Sequence, residues 1–101
     1  MTARSTEVIY GHVNSADDIR EINGNIRREM ENVTSKAELR ELKRRSDYLC
    51  TLTRSSAWRK RFGDNVDNLL EVAKEENRKT TEKANQVARG KGFDVQFDPW
   101  G

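Results

Sequence analysis

The sequence predicts an all-α protein: an antiparallel three-helix bundle or a long helical hairpin, with short extended segments at both ends. Apolar residues recur at steps of three and four along most of the chain, which is the period of one helix face. Hydrophobic residues make up 34% of the 101 residues and charged residues 36%, with a mean hydropathy of -0.99. This composition fits narrow apolar faces between long helices better than a thick core. We therefore also expect a homo-oligomer, with a dimer favoured, because a second copy would complete the core.

We expect a single helical domain over residues 1–101, beginning with an extended segment over 1–14. The first predicted helix, helix A, spans 15–33. Ser15 stands where an N-cap is expected, with an acid, Asp18, three residues later. The apolar face of helix A consists of Ile19, Ile22, Ile26, Met30 and Val33.

The second predicted helix, helix B, spans residues 35–62 and opens with Ser35 and Glu38 at the spacing of a capping box. A continuous helix of roughly 25 residues would be about 40 Å long. Its predicted inner face consists of Leu39, Leu42, Ser46, Leu49, Thr53 and Ala57. Polar residues on such a face can set the register of an oligomer, which again favours a dimer.

The third predicted helix, helix C, spans residues 64–89. Gly63 can supply the left-handed conformation that ends helix B, Asp64 can cap helix C, and Gly90 can end it. Its predicted inner face consists of Val66, Leu69, Leu70, Ala73, Asn77, Thr80, Ala84 and Val87. Large residues occupy only the first half of this face. The second half must therefore pack closely, pair with a partner, or fray.

The two ends of the chain have the composition of short strands that could pair with each other. The stretch TEVIYGHV is rich in β-branched and aromatic residues, and FDVQFDPW alternates apolar with polar residues. The aromatic C-terminal tail, residues 90–101, carries Phe93, Phe97 and Trp100. These three are candidate partner-docking residues, because exposed aromatic side chains anchor interfaces. Alternatively, they fold back and supply the core that helix C lacks.

Charge is segregated along the chain, although the net charge is only +2. Residues 36–61 contain nine basic and three acidic side chains, and both flanks are net negative. A helical wheel through helix B gathers a basic stripe with an aromatic residue near its end. The basic stripe consists of Lys36, Arg40, Lys43, Arg44, Arg54, Trp58 and Arg61. It is a candidate polyanion-binding site, with cations for phosphates and Trp58 for base stacking. Acidic faces of helices A and C, or of a second copy, are the alternative partners, and an ordinary solvated face is the third possibility.

Little in the sequence indicates reaction chemistry. The chain has one cysteine and one histidine, without the spacing of a metal site, a phosphate loop or a nucleophile motif. Cys50 flanks the apolar face of helix B and fits a small buried side chain. We therefore expect no enzyme activity, no cofactor and no metal. The absence of a long apolar run favours a cytoplasmic protein with no membrane association.

Two functions remain, beside the structural possibility that the protein is only a subunit of a larger assembly. The first is a non-catalytic small helical adaptor or regulatory protein that acts through protein–protein contacts with a partner the sequence does not identify. The second is an accessory nucleic-acid-binding protein that uses the basic stripe of helix B.

Overall fold

The computed structural model describes Tyr10 and residues 13–100. The helices are α1 (Ala16–Met30), α2 (Lys36–Thr53), α3 (Ser56–Phe62) and α4 (Asn65–Lys91). The molecule measures 43 × 27 × 19 Å along its principal axes. Over the described residues there is no β-strand, so the predicted all-α class is confirmed. Tyr10 has helical backbone where an extended segment was expected, and residues 1–9 and 11–12 of that segment lie outside the described residues.

The first helix follows its predicted apolar face but stops earlier. Ile19 and Met30 are fully buried, and Val33 is buried beyond the end of α1. Ser15 has extended backbone at the N-cap, but its side chain makes no capping hydrogen bond. The Asp18 carboxylate instead accepts the N–H of the residue before Ser15 at 2.7 Å.

The predicted helix B is two helices, which corrects the expectation of one continuous rod. α2 ends at Thr53, and α3 begins at Ser56. Ser55 is the N-cap of α3: its Oγ accepts the Trp58 N–H at 3.2 Å and donates to the Leu52 carbonyl at 2.7 Å. Hydroxyl groups that bond nearby backbone compete with the helical hydrogen-bond ladder. Half of the predicted capping box of α2 forms: Ser35 Oγ accepts the Glu38 N–H at 3.2 Å, but the Glu38 carboxylate accepts the N–H of Thr34 and not that of Ser35.

The break changes which residues face the core. Ala57 belonged to the predicted inner face and is exposed, whereas Trp58 belonged to the basic stripe and is only 7% exposed. The Trp58 ring meets Phe62 edge to face, with 5.3 Å between ring centroids. A helical wheel assumes a constant rotation per residue, and the break at Ser55 ends that regularity.

The last helix also ends beyond its predicted stop, because Gly90 lies inside α4. Gly63 ends α3 with a positive φ of 63°, but its ψ of -142° is not the predicted left-handed helical conformation. That conformation occurs at Gly92, the cap of α4, with φ of 76° and ψ of 24°. The Gly92 N–H bonds to a carbonyl in the last turn at 3.3 Å, and the Phe93 N–H bonds to the Ala88 carbonyl at 2.8 Å. These two bonds form a Schellman-type turn, which reverses the chain and directs the tail back along α4.

The three long helices alternate in direction. Ser46 on α2 contacts Asn77 on α4, and one turn later Cys50 contacts Ala73, so α2 and α4 are antiparallel. The short connection over residues 31–35 likewise reverses the chain between α1 and α2. The order is therefore up–down–up, with α3 closing one end.

The core consists of two apolar clusters separated by polar side chains. The first cluster, near α3, contains Tyr10, Val13, Ile19, Leu49, Cys50, Trp58, Val66, Leu69 and Ala73. The second, at the other end, contains Ile26, Met30, Val33, Leu39, Leu42, Ala84, Val87 and Ala88. Between them lies a polar belt, which we define as Asn23, Ser46, Asn77 and Thr80.

Ser46 and Asn77 are two of the three polar residues, with Thr53, whose place on the predicted inner faces favoured an oligomer. In the structure they bond to each other within one chain, at 2.9 Å. Their burial therefore requires no second copy, and the oligomeric state remains a prediction.

Candidate functional site

The polar belt is a hydrogen-bonded network that joins all three long helices. Asn23 Oδ1 accepts the hydroxyls of Ser46 at 2.7 Å and Thr80 at 2.9 Å, while its Nδ2 donates to the Ile19 carbonyl at 3.1 Å. Asn77 Nδ2 donates to Ser46 Oγ at 2.9 Å. Buried polar groups cost free energy unless they are paired, and these are paired with one another. The belt therefore fixes the register of the helices.

The belt reaches the surface in the groove between α2 and α4, which we call the tail groove. Asp47 accepts from Asn77 Nδ2 at 2.8 Å and from Lys43 Nζ at 2.6 Å. Asn77 Oδ1 in turn accepts the Trp100 backbone N–H at 2.8 Å. Lys43 is only 4% exposed, and its Nζ also donates to the Asp98 carbonyl at 2.8 Å. The belt and the tail thus share one hydrogen-bonded system.

The tail, over its described residues 93–100, is bound along the tail groove through its main chain. Asn85 makes two bonds to Phe97: Nδ2 donates to the carbonyl at 2.9 Å, and Oδ1 accepts the N–H at 2.7 Å. Lys36 Nζ lies 3.5 Å from the Asp94 carbonyl. With Lys43 and Asn77, four side chains of α2 and α4 therefore bind peptide groups of the tail.

The spacing of these contacts shows that the tail is extended over residues 97–100. Asn77 and Asn85 are eight residues apart on α4, which is about 12 Å along a helix. Their partners, Trp100 and Phe97, are three residues apart, which is about 10 Å in an extended chain. The match holds only when the tail is nearly extended and antiparallel to α4.

The aromatic side chains of the tail pack back onto the bundle, as in the second of the two sequence interpretations. Phe93, Val95 and Phe97 contact the second apolar cluster, and Trp100 contacts the first. Trp100 Nε1 donates to Thr51 Oγ1 at 3.2 Å. The candidate docking residues Phe93, Phe97 and Trp100 are thus half-buried. The two phenylalanines pack with the small-residue half of α4, and Trp100 packs on the first cluster.

Three members of the basic stripe contact the tail. Lys36 and Lys43 bind its carbonyls, and the Arg54 guanidinium carbon lies 5.7 Å from the centroid of the Trp100 ring. This is cation–π geometry. These cations therefore have partners within the chain, through main-chain oxygens and an aromatic face.

The other members of the stripe diverge. Arg44 pairs with Glu41 at 3.1 Å, and Arg40 is exposed. Arg61 donates to the Val13 carbonyl at 2.7 Å and to the next side chain, Asn14, at 2.9 Å. Since Trp58 is in the core, a base could stack on its ring only after the ring had left the first cluster. The structure therefore does not bring the seven residues together on one open face.

Sequence reasoning missed the side chains that bind the tail from α4. Asn77 was identified as a polar position on an apolar face, but its partners were not. Asn85 was not singled out, because it lies beside the predicted face of helix C and its partner Phe97 is twelve residues away. The available signal was a side-chain amide next to a small apolar residue, in a helix whose second half lacked large apolar residues.

The second surface feature is the groove between α1 and α2, which we call the open groove. Its larger compartment has a volume of about 630 Å³ and is lined by Glu29, Asn32, Val33, Glu38, Glu41, Leu42 and Arg45. A smaller compartment of about 160 Å³ is lined by Tyr10, Ile22, Asn25, Ile26, Glu29 and Arg45. Val33 and Leu42 supply an apolar floor. Within the described part of the chain, no segment lies across this floor in the way the tail lies across the other groove.

The rim of the open groove is acidic. Three carboxylates line the larger compartment, against one cation, Arg45. Arg45 lies loosely between Glu29 at 4.0 Å and Glu41 at 3.9 Å. Glu38 accepts the Thr34 N–H at 2.6 Å, and this hydrogen bond lowers the pKa of the Glu38 carboxyl. The rim therefore carries an excess of negative charge at neutral pH.

The described residues offer little reactive chemistry. They contain no group of three or more metal-ligating side chains, and their helices are too short or too polar to cross a membrane. Cys50 is buried, its Sγ donates to the Ala73 carbonyl at 3.4 Å, and burial raises the pKa of the thiol to about 12. A thiol kept protonated is a poor nucleophile, so Cys50 packs as a small apolar side chain.

In comparisons with protein-family models, with curated proteins and with solved structures, the chain gave no significant match. Its function is therefore argued from its own geometry.

Proposed function

We propose that the protein is a non-catalytic helical adaptor whose partner-binding surface is the open groove between α1 and α2. The observation that carries this proposal is the apolar floor of Val33 and Leu42 beneath an acidic rim. A groove between two helices accepts the apolar face of an amphipathic helix, and a carboxylate rim favours basic residues beside that face. The partner segment is thus an amphipathic helix with lysine or arginine along its flanks.

The test uses defined peptides rather than an unidentified partner. A fluorescently labelled Leu/Lys amphipathic helix of about four turns is titrated into the protein, alongside a Leu/Glu helix with the same apolar pattern. We expect saturable binding of the Leu/Lys peptide only. Binding of both peptides with similar affinity would contradict the proposed role of the acidic rim.

Matched variants locate the binding. The double variant Glu29→Gln/Glu41→Gln neutralises two rim carboxylates, while Glu21→Gln/Glu71→Gln removes the same charge from exposed positions elsewhere. We expect the rim variant to bind the Leu/Lys peptide about tenfold more weakly, on the scale of coupled interfacial charges. The control variant should bind as the wild type does. Equal losses in both variants would mean that only net charge matters.

Nucleic-acid binding is the second candidate function, and the exposed cations Arg40, Arg54 and Lys60 favour it. Among the described residues these three make no ion pair with a carboxylate. Anisotropy with labelled DNA and RNA at low and physiological salt tests this function. Salt-sensitive binding that is lost in an Arg40→Gln/Arg54→Gln/Lys60→Gln variant, but kept in an equally charged variant of Arg20, Arg28 and Arg78, would support it. No binding at low salt would exclude it.

A further inference from the structure

The tail groove binds its occupant mainly through contacts that any peptide can make. Lys36, Lys43, Asn77 and Asn85 all bond to main-chain atoms of the tail. Main-chain N–H and C=O groups are present in every peptide. The contacts of Lys43, Asn77 and Asn85 therefore depend on an extended chain over residues 97–100, whereas Lys36 binds Asp94 in a tight turn that the Val95 N–H closes on the Phe93 carbonyl at 3.0 Å. None of the four contacts depends on the covalent link between the tail and α4.

The Asn85 contact is the most specific of the four. One side-chain amide satisfies both the donor and the acceptor of a single residue, at 2.7 and 2.9 Å. In a helix that residue would bond within its own turn, so this pair of contacts favours an extended segment. Recognition of a backbone by side-chain amides is the chemistry of a peptide-binding site.

Apolar contacts provide the selectivity. Phe93, Val95 and Phe97 alternate into the groove against the second apolar cluster, beside the small residues of α4. Trp100 occupies the end of the groove, with Thr51 on its indole N–H and Arg54 over its ring. The groove thus selects aromatic–x–aliphatic–x–aromatic, followed three residues later by tryptophan.

The tail is covalently linked to the bundle only through the turn around Gly92, and its other contacts with the bundle are noncovalent. Its aromatic side chains are half-buried, whereas the two apolar clusters consist of residues of the bundle itself. Removing the tail from the groove therefore leaves most of the core in place. A tethered segment acts at an effective concentration in the millimolar range, so its own tail is a strong competitor for the groove.

We propose that the tail groove is a binding site for extended segments of this aromatic pattern from other polypeptides, with the protein's own tail as its resident occupant. A partner that presents the pattern at high local concentration displaces the tail. The tail then acts as an intramolecular competitor, which raises the partner concentration needed for binding. This proposal concerns a different surface from the adaptor function above, so either can fail without the other.

The test uses the full chain and a labelled synthetic peptide of residues 92–101. In a Phe97→Ala/Trp100→Ala variant the chain's own tail loses its anchors, while the groove stays unaltered. We expect this variant to bind the peptide at least tenfold more tightly than the wild type, where the intact tail competes. Circular dichroism and cooperative unfolding establish that the variant is folded.

Further substitutions in the groove locate the site. Adding Asn85→Ala to the double variant removes two hydrogen bonds to the peptide and should weaken binding about tenfold. Adding Gln86→Ala, an exposed position on the same helix, should leave binding unchanged. Equal peptide affinity in these two variants would overturn the proposal, as would a folded double variant without saturable binding.

A second measurement applies if the double variant does not fold. The isotope-labelled wild type is mixed with a large excess of unlabelled peptide, and the amide resonance of its own Phe97 is followed by NMR. We expect this resonance to move to its random-coil position in proportion to the bound peptide. A resonance that does not change at saturating peptide would contradict displacement.

Discussion

The two grooves beside α2 differ in what lines them and in what occupies them. The tail groove, between α2 and α4, offers amide groups and lysine ammonium groups to a main chain, and the tail lies in it. The open groove, between α1 and α2, offers carboxylates around a shallow apolar floor. The first surface suits an extended segment, which presents its peptide groups. The second suits a helix, whose peptide groups are already paired and whose flanks carry charge.

The difference has its origin in the residues of α4. Its second half presents small residues, Ala84 and Ala88, which leave room for large side chains from elsewhere. Phe93, Val95 and Phe97 fill that room. On the α1 side, the larger residues Ile26 and Met30 belong to the helix itself, so no aromatic segment is needed there. A helix face of small residues thus leaves room for a segment such as the tail to pack on it, whereas a face with large residues of its own does not.

The largest expected effect comes from the polar side chain that joins the tail groove to the core. Asn77→Ala removes the bonds to Ser46, Asp47 and the Trp100 N–H. Ser46 and Asp47 each keep one other partner, but the Trp100 N–H is left unpaired. We expect a loss of about 3 kcal/mol in the free energy of unfolding, measured by chemical denaturation. Asn68→Ala, at an exposed position on the same helix, should change it by less than about 0.5 kcal/mol. Similar changes in the free energy of unfolding of the two variants would mean that the polar belt does not stabilise the fold.

A smaller effect is expected at the edge of the tail groove. Asn85→Ala removes both hydrogen bonds to Phe97 without opening the belt. Because the site is only partly buried, water can replace part of what is lost. We expect a cost of about 1 to 1.5 kcal/mol in urea unfolding, and increased hydrogen exchange confined to the tail. Faster hydrogen exchange across α1 as well would show that the tail does not open independently of the bundle.

Rim substitutions at the open groove should leave stability almost unchanged. Glu41→Gln loses the exposed pairs with Arg44 and Arg45, at 3.1 and 3.9 Å. Exposed ion pairs contribute little, so the expected change in the free energy of unfolding is below about 0.5 kcal/mol. The two grooves would then differ in their effect on stability: contacts in the tail groove contribute to folding, and the rim of the open groove does not. A loss comparable to that of Asn85→Ala would contradict this contrast.

The smallest effect is a dependence on pH at the edge of the open groove. Hydrogen bonds from Thr34 hold the pKa of Glu38 below 4.5. A carboxyl with a lowered pKa contributes stability above its unfolded value, and this contribution disappears as the pH falls through the folded value. Below about pH 4.5, Glu38→Gln should therefore show a shallower decline in unfolding free energy than the wild type. Parallel declines would show that the Thr34 contacts do not stabilise the folded state.

The apolar faces of the helices could be predicted from the sequence, because burial follows the helical period. Leu39, Leu49, Leu69 and Ala84 are all buried where the spacing placed them. The burial of Trp58 could not be predicted from that period. Ser55 caps a new helix, and a helical wheel does not include the change in rotation between that helix and the one before it. Capping by Ser55 was a readable signal, since its hydroxyl stands three residues before the Trp58 N–H that it binds.

The tail illustrates a second limit. Its alternation and its lack of a helical pattern were visible, and folding back was one of two interpretations. Which side chains bind it could not be inferred, because contacts such as Asn77 with Trp100 join residues 23 positions apart and depend on how α2 and α4 pack. For the same reason, the residues of the basic stripe do not share a single surface. The Lys43 side chain lies in the tail groove, and the Arg61 side chain binds the Val13 carbonyl.

Amide hydrogen exchange of the wild-type protein, followed by NMR, shows directly whether the tail is bound in the tail groove. We expect the N–H groups of Phe97 and Trp100, bound by Asn85 and Asn77, to exchange at least about tenfold more slowly than in an unstructured peptide. The amides of Gln96 and Asp98, which have no acceptor among the described residues, should exchange freely. Random-coil exchange rates at all four positions would contradict a tail bound in the groove.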